Sequence, residues 1–270
     1  MTFDALETSS HDGNPVELYE FRSGVITWRY TSADEAITYN GQSYAPVAIS
    51  RGKISASAEL NKSGLDIQVT RDNPVAQLFQ QQPPGTVVSV TIFKLHRSDG
   101  TAVTLWMGRI LSVNWPGLTT TLRSESIATS VKRMGLRRKY NLGCPHVLYG
   151  PGCYVNQLSY KVTGPVAAIS GNQITVAAAG GQADGYYNGG FVYWQTGAGV
   201  IDYRMIDSHA ASVLTLMFPV NGLALGDSVD IYPGCNRTMS ECDSKFGNSD
   251  NYGGWPFQPN VNPFNGTSLF

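Results

Sequence analysis

Charge is scarce in this sequence. Of 270 residues only 19 are Lys or Arg and 20 are Asp or Glu, so 14% of the chain is charged and the net charge is −1; an ordinary globular domain carries about 25%. So neutral a chain lacks the electrostatic footprint of a protein whose main partner is nucleic acid or an anionic membrane. Long apolar runs are missing as well. None reaches the ~18 residues of a spanning helix, and Met1-Thr2-Phe3-Asp4 does not open like a secretory signal, which points to synthesis in a cytoplasm-like compartment. Catalytic motifs are equally scarce. There is no Gly-x-Ser-x-Gly elbow, His-Glu-x-x-His helix, phosphate-binding loop or Gly-x-Gly-x-x-Gly fingerprint, so the chain reads as a non-enzyme. Four histidines, His11, His96, His146 and His209, are scattered, and the carboxylates Asp34, Glu35 and Glu241 read as solvated charges.

Aromatic residues are plentiful: 14 Tyr, 10 Phe and 5 Trp. Together with the low charge they suit either a subunit whose surface is covered by neighbours or a β-rich monomer whose strands use aromatics. Strand patterns dominate the first half, from Val16 to Ser124. Val25–Tyr30 is β-branched and aromatic. Ile37–Tyr39 and Ser43–Val47 flank Asn40-Gly41, a strong hairpin signal. Ile54–Leu60 and Leu65–Thr70 read as another pair, and Val87–Leu95, Val103–Val113 and Leu118–Arg123 as three more strands. Asn73-Pro74 reads as the capped start of a short helix through Gln80. Ser124–Met134 carries Ile127, Val131 and Met134 at helical spacing and reads as a short amphipathic helix. Between Tyr160 and Tyr232 six short alternating runs separated by Gly/Asn turns predict a small barrel or sandwich. The expected architecture is mainly β: a barrel or sandwich domain over residues 1–135, then a second domain over 136–270 with a β module inserted at about 160–232 and an extended C-terminal tail.

The four cysteines form two short-looped pairs. Eight residues separate Cys144 from Cys153, and six separate Cys235 from Cys242. Each sits in turn chemistry, Gly143-Cys144-Pro145, Gly150-Pro151-Gly152-Cys153 and Pro233-Gly234-Cys235, where glycine allows close backbone approach and proline stiffens the loop. Four thiolates suit an all-cysteine zinc site or an iron–sulfur cluster, and the spacing leaves the metal open: it matches neither the two-to-four-residue gaps of zinc ribbons nor the tight run of common ferredoxins. Two disulfides are disfavoured in a chain this long without an export signal. His146, inside the first loop, suits a role beside the ligands rather than among them. The basic cluster Lys132-Arg133 with Arg137-Arg138-Lys139 reads as a solvated helix end, as compensation for an anionic cluster, or, ranked last, as a phosphate patch.

The string Tyr140-Asn141-Leu142-Gly143-Cys144-Pro145-His146-Val147-Leu148-Tyr149-Gly150-Pro151-Gly152-Cys153-Tyr154-Val155 resembles the cluster-domain signature of siphophage tail-tip proteins. So do Pro233-Gly234-Cys235-Asn236-Arg237-Thr238 through Cys242, the following Lys245-Phe246-Gly247-Asn248, and the Tyr252-Gly253-Gly254-Trp255-Pro256 tail. That family includes the lambda minor tail protein L and gene-transfer-agent hub proteins. The resemblance covers residues 136–270, and the strand-rich first half as an N-terminal hub domain by layout alone. It implies a structural virion protein at the tail tip: a homotrimeric baseplate hub ring joining the tail tube and distal tail protein to the central fibre or large hub protein. It further implies a [4Fe-4S] cluster bound by Cys144, Cys153, Cys235 and Cys242. The alternatives are an iron–sulfur electron-transfer protein and a zinc-stapled binding module.

Overall fold

In a computed structural model the described residues are 3–258, except 10, 12, 55–63, 81, 98–99, 133–134, 136–139, 197–198, 200 and 221. The chain divides into two compact units, Met1–Arg133 with Gln195–Asp202, and Met134–Trp194 with Tyr203–Phe270.

The first unit opens with a short helix α1 (Phe3–Thr8) and continues through β1 (Pro15–Ser23), β2 (Ile26–Thr31), β3 (Ile37–Tyr39), β4 (Gln42–Pro46), β5 (Ile49–Arg51) and β6 (Leu65–Thr70). After the four-residue helix α2 (Pro74–Gln77) come β7 (Val88–His96), β8 (Ala102–Asn114) and β9 (Thr119–Ser126). The nine strands form one sheet in the order β3-β4-β2-β1-β7-β8-β9-β6-β5. Only Val47 and Ala48 separate β4, second from one edge, from β5 at the opposite edge, so the two sides of the sheet are held close and the sheet must curl. Glu17 of β1 accordingly meets Arg51 of the edge strand β5 in an ion pair. Inside the curl lie Tyr19, Phe21, Ile67, Val69, Val90, Ile92 and Leu122, at the alternate positions that strand geometry sends to one face. Phe21 and Ile92 are fully excluded from water, and each such side chain contributes roughly 1.5–3 kcal/mol.

Local chemistry follows the sequence closely in two places. Asn40 and Gly41 take φ of 49° and 71°, the paired left-handed residues that turn β3 into β4. Asn73 accepts the Val75 amide at 3.0 Å and caps α2 ahead of Pro74. That helix stops at Gln77 rather than Gln80. The amphipathic helix expected over 124–134 does not form as read. β9 continues to Ser126, a 3₁₀ turn spans Ile127–Lys132, and Ile127 and Val131 are exposed. Ser126, Thr129 and Ser130 supply the reason, because their hydroxyls bond neighbouring backbone groups in competition with an α-helix. The strand expected at Ile54–Leu60 falls almost wholly outside the described residues, as does most of the basic cluster.

The second unit is built on a closed six-stranded barrel: β10 (Val162–Ser170), β11 (Gln173–Val176), β12 (Phe191–Gln195), β13 (Ile201–Ala210), β14 (Val213–Leu216) and β15 (Ser228–Tyr232), in the order β10-β11-β14-β13-β12-β15. Closure leaves no open edge. Ile174, Val192, Trp194, Ile206, Leu214 and Ile231 fill its interior. The chain enters and leaves side by side, with Val162 of β10 opposite Ile231 of β15. That pairing brings the segments before Val162 and after Tyr232 to the same end of the barrel, and each carries one cysteine pair. A helix α3 (Met239–Phe246) follows there.

Candidate functional site

The loop leading to β10 is wound tightly. Gly150 donates to the Val147 carbonyl at 3.0 Å and Cys153 to the Gly150 carbonyl at 3.1 Å, while Tyr149, Gly152 and Tyr154 all take positive φ. Tyr149 locks this loop to the barrel. Its hydroxyl donates to the Pro233 carbonyl at 2.8 Å, and its ring meets Phe191, Tyr232 and Phe246 edge-on. Such contacts add about 0.5–1.5 kcal/mol each beyond simple burial. Burial also lifts the Tyr149 hydroxyl well above its ordinary pKa, so at neutral pH it is a donor.

The second pair is presented by a capped helix. Thr238 accepts the Glu241 amide at 3.3 Å, and Glu241 reaches back to the Asn236 amide at 2.6 Å. Gly247, at φ 57°, closes α3 in the left-handed conformation. Thr238-Met239-Ser240-Glu241 with Gly247 is the capping-box and C-cap signal that would have revealed this helix in the sequence. Glu241 is therefore a capping residue and not the solvated charge expected of it. Cys242 lies on the buried face, and Lys245, one turn on, donates to the carbonyls of Tyr186 and Gly234 at 2.6 and 2.8 Å.

These segments bring Cys144, Cys153, Cys235 and Cys242 to the wall of one cavity of about 330 Å³, shared with His146, Tyr149, Phe246 and Asn248. Backbone and side-chain N–H groups point at the sulfurs. Gly253 donates to Cys144 Sγ at 3.4 Å, Arg237 to Cys235 Sγ at 3.3 Å, and Asn248 Nδ2 lies 3.8 Å from Cys153 Sγ. The two pairs are also tied directly, since the Cys144 amide donates to the Arg237 carbonyl at 2.9 Å. All four thiols are free. Burial, with the other three sulfurs adding to it, pushes the Cys242 thiol up to about 11; burial also raises Cys235, partly offset by the Arg237 amide. A cationic group in the cavity would reverse that balance by favouring the thiolates.

The donor set fits a soft metal group. Among the described residues no group of three or more His, Cys, Asp or Glu is placed to hold a single metal ion, although all four cysteines line the one cavity. His146 stands beside them, its ring wedged between Gly152 and Gly253. A Cβ on Gly253 would come within 2.3 Å of His146 Nε2, and one on Gly152 within 2.7 Å of His146 Nδ1. The tail residues Tyr252–Trp255 cover the first loop: Tyr252 donates to the Leu142 carbonyl at 2.5 Å and also meets the Arg237 carbonyl of the second segment at 3.1 Å, Trp255 donates to the Asn141 carbonyl at 2.9 Å, and the Trp255 ring packs on Tyr140. Phe257 stays exposed. His96 and His209 are buried and do not line this cavity, His96 lying against Glu7 and His209 against the Ala211 carbonyl.

A curled nine-stranded sheet and a closed barrel with a four-thiol cavity at one end define a mainly β protein, and comparison with known proteins gives the family. The model for the baseplate hub protein N-terminal attachment domain matches residues 19–156, and the chain belongs to that family. A second model, described as phage conserved hypothetical protein BR0599, matches residues 185–262. The first match includes Cys144 and Cys153, the second Cys235 and Cys242. An uncharacterized protein of Xylella fastidiosa (strain 9a5c) is 27% identical over 188 residues, 63% of this chain; the chain spans 38% of that relative's length. A chain in the virion of a native gene transfer agent particle superposes with a TM-score of 0.80 over 100% of this chain and 99% of that one, at 16% identity, which is a likeness of fold. No helix among the described residues is long and apolar enough to cross a membrane.

Proposed function

We propose that this baseplate hub protein is a tail-tip subunit whose second unit is stapled by a [4Fe-4S] cluster on Cys144, Cys153, Cys235 and Cys242. The observation that carries the proposal is the convergence of four free thiols, from segments on either side of the barrel, on one cavity framed by N–H donors. The resemblance of both cysteine segments to the tail-tip cluster signature supports a cluster, with zinc as the alternative occupant. When bound, the cluster supplies iron–thiolate bonds linking the entry loop, the exit turn and α3. The protein's own residues fix the loops, exclude water with Tyr149, Phe246 and Tyr252, and aim amides at the sulfurs.

The role is structural: a homotrimeric ring in the virion, made in the host bacterial cytoplasm, joining the tail tube and distal tail protein to the central fibre or large hub protein. Low charge and exposed apolar side chains, Met107, Leu111 and Leu118 among them, support burial in an assembly. The test is immunogold labelling of purified particles, with label expected at the tail tip. Particles that infect and lack the chain would overturn the role. Cys144→Ser is expected to give cluster-free protein and defective tails.

A further inference from the structure

Asn248 touches one cysteine of each pair. Its side-chain Nδ2 donates to the Cys153 carbonyl at 2.6 Å and lies 3.8 Å from Cys153 Sγ. Its backbone amide donates to the Cys242 carbonyl at 3.0 Å, and its own carbonyl accepts from Cys242 Sγ at 3.2 Å. The orientation of the amide is fixed from the far side, where Asn251 Nδ2 donates to Asn248 Oδ1 at 2.7 Å. Every one of these contacts is made between protein atoms. Cys153 and Cys242 are the two buried cysteines, and both are in contact with this residue.

We propose that Asn248 is the positioning residue of the four-thiol site: it holds Cys153 and Cys242 in register before any metal arrives, and afterwards directs an N–H at the Cys153 sulfur. Asparagine is suited to this because one nitrogen carries two donors, enough for a carbonyl and a sulfur together, while the carbonyl oxygen stays free to be anchored. Aspartate has the shape and no donor. Leucine has the volume and no polar atoms. A hydrogen bond to a cluster-ligating sulfur raises the reduction potential, so the second half of the proposal rests on the cluster reading and the first half does not.

The experiment uses the full chain with Asn248→Asp, Asn248→Leu and the milder Asn248→Ser. In the metal-free, reduced protein, maleimide labelling mapped by mass spectrometry reads each cysteine separately. In the variants Cys153, the cysteine held by the Asn248 side chain, is expected to label several-fold faster relative to Cys144, Cys235 and Cys242, the last being bonded only to the backbone of residue 248, with the thermal transition retained. Unchanged labelling, or equal acceleration at all four thiols, overturns the positioning role. In iron-loaded protein, loss of the visible band to a chelator is expected to be about 10-fold to 100-fold faster, the usual cost of removing a group that orients a ligand, and the midpoint potential lower. Wild-type values for both would overturn the second half. A wild-type chain that takes up no iron would sink the cluster reading instead, and the labelling arm would still decide the role of Asn248.

Discussion

Lys245 Nζ lies 2.8 Å from the Gly234 carbonyl, a hydrogen bond that ties the helix bearing Cys242 to the turn bearing Cys235. The same ammonium reaches the Tyr186 carbonyl at 2.6 Å and sits over the Tyr186 ring. The barrel end, the exit turn and α3 therefore share one cation, whose side chain is only 9% exposed.

Removing that cation leaves two carbonyls without their donor. Lys245→Met keeps the apolar stem and is expected to lower stability by about 1.5–3 kcal/mol, the range for hydrogen bonds to charged groups. Urea unfolding of metal-free protein checks this, through a lower midpoint at unchanged slope. A midpoint equal to wild type would show that the ammonium is dispensable.

Gly253 and His146 are expected to behave as a coupled pair. A methyl at Gly253 meets the His146 ring at 2.3 Å, so Gly253→Ala must displace either the ring or the segment that donates to Cys144. The single change is expected to destabilise the protein and speed labelling of Cys144. Adding His146→Ala opens the space, so the double variant is expected to recover part of the loss. Strict additivity in the double-mutant cycle would contradict the wedge.

Raised thiol pKa values give the metal-free protein an alkaline weakness. Cys242 moves from an ordinary 9.0 to about 11, chiefly through burial, and Cys235 moves in the same direction. A group whose folded pKa lies above its unfolded one leaves stability intact below the unfolded value and withdraws it as pH rises toward the folded value. Thermal melts of metal-free protein are therefore expected to fall between pH 9 and 11. Metal-loaded protein, whose ligands are already thiolates, should not show that slope. A flat profile for the metal-free protein would mean the thiols are not buried together.

Much of the architecture was legible because it rests on local patterns. Alternation in β6 and β15, the Asn40-Gly41 turn and the Asn73 cap are short-range signals, and each forms where its residues predict. The six runs between Tyr160 and Tyr232 likewise become six strands, although only the pairing of β10 with β15 shows that they close. Two features escaped. α3 was hidden because Met239–Phe246 has a weak apolar stripe, so its helix rests on the Thr238–Glu241 box and Gly247 rather than on periodicity. Asn248 stood in the sequence only as the end of the Lys245-Phe246-Gly247-Asn248 string, with no role of its own, since its importance arises from bonds to Cys153 and Cys242, and the first of these lies 95 positions away. At 127–132 periodicity misled, because hydroxyl side chains captured the carbonyls that an α-helix needs.

The central claim is that one cluster occupies the cavity lined by Cys144, Cys153, Cys235 and Cys242. Its most direct test is iron and acid-labile sulfide analysis of the full chain purified anaerobically, with the visible spectrum taken on the same sample. The account predicts a brown protein with about four irons and four sulfides per chain, lost together in the Cys242→Ser variant. A colourless protein holding one zinc, or iron retained after that substitution, would contradict it.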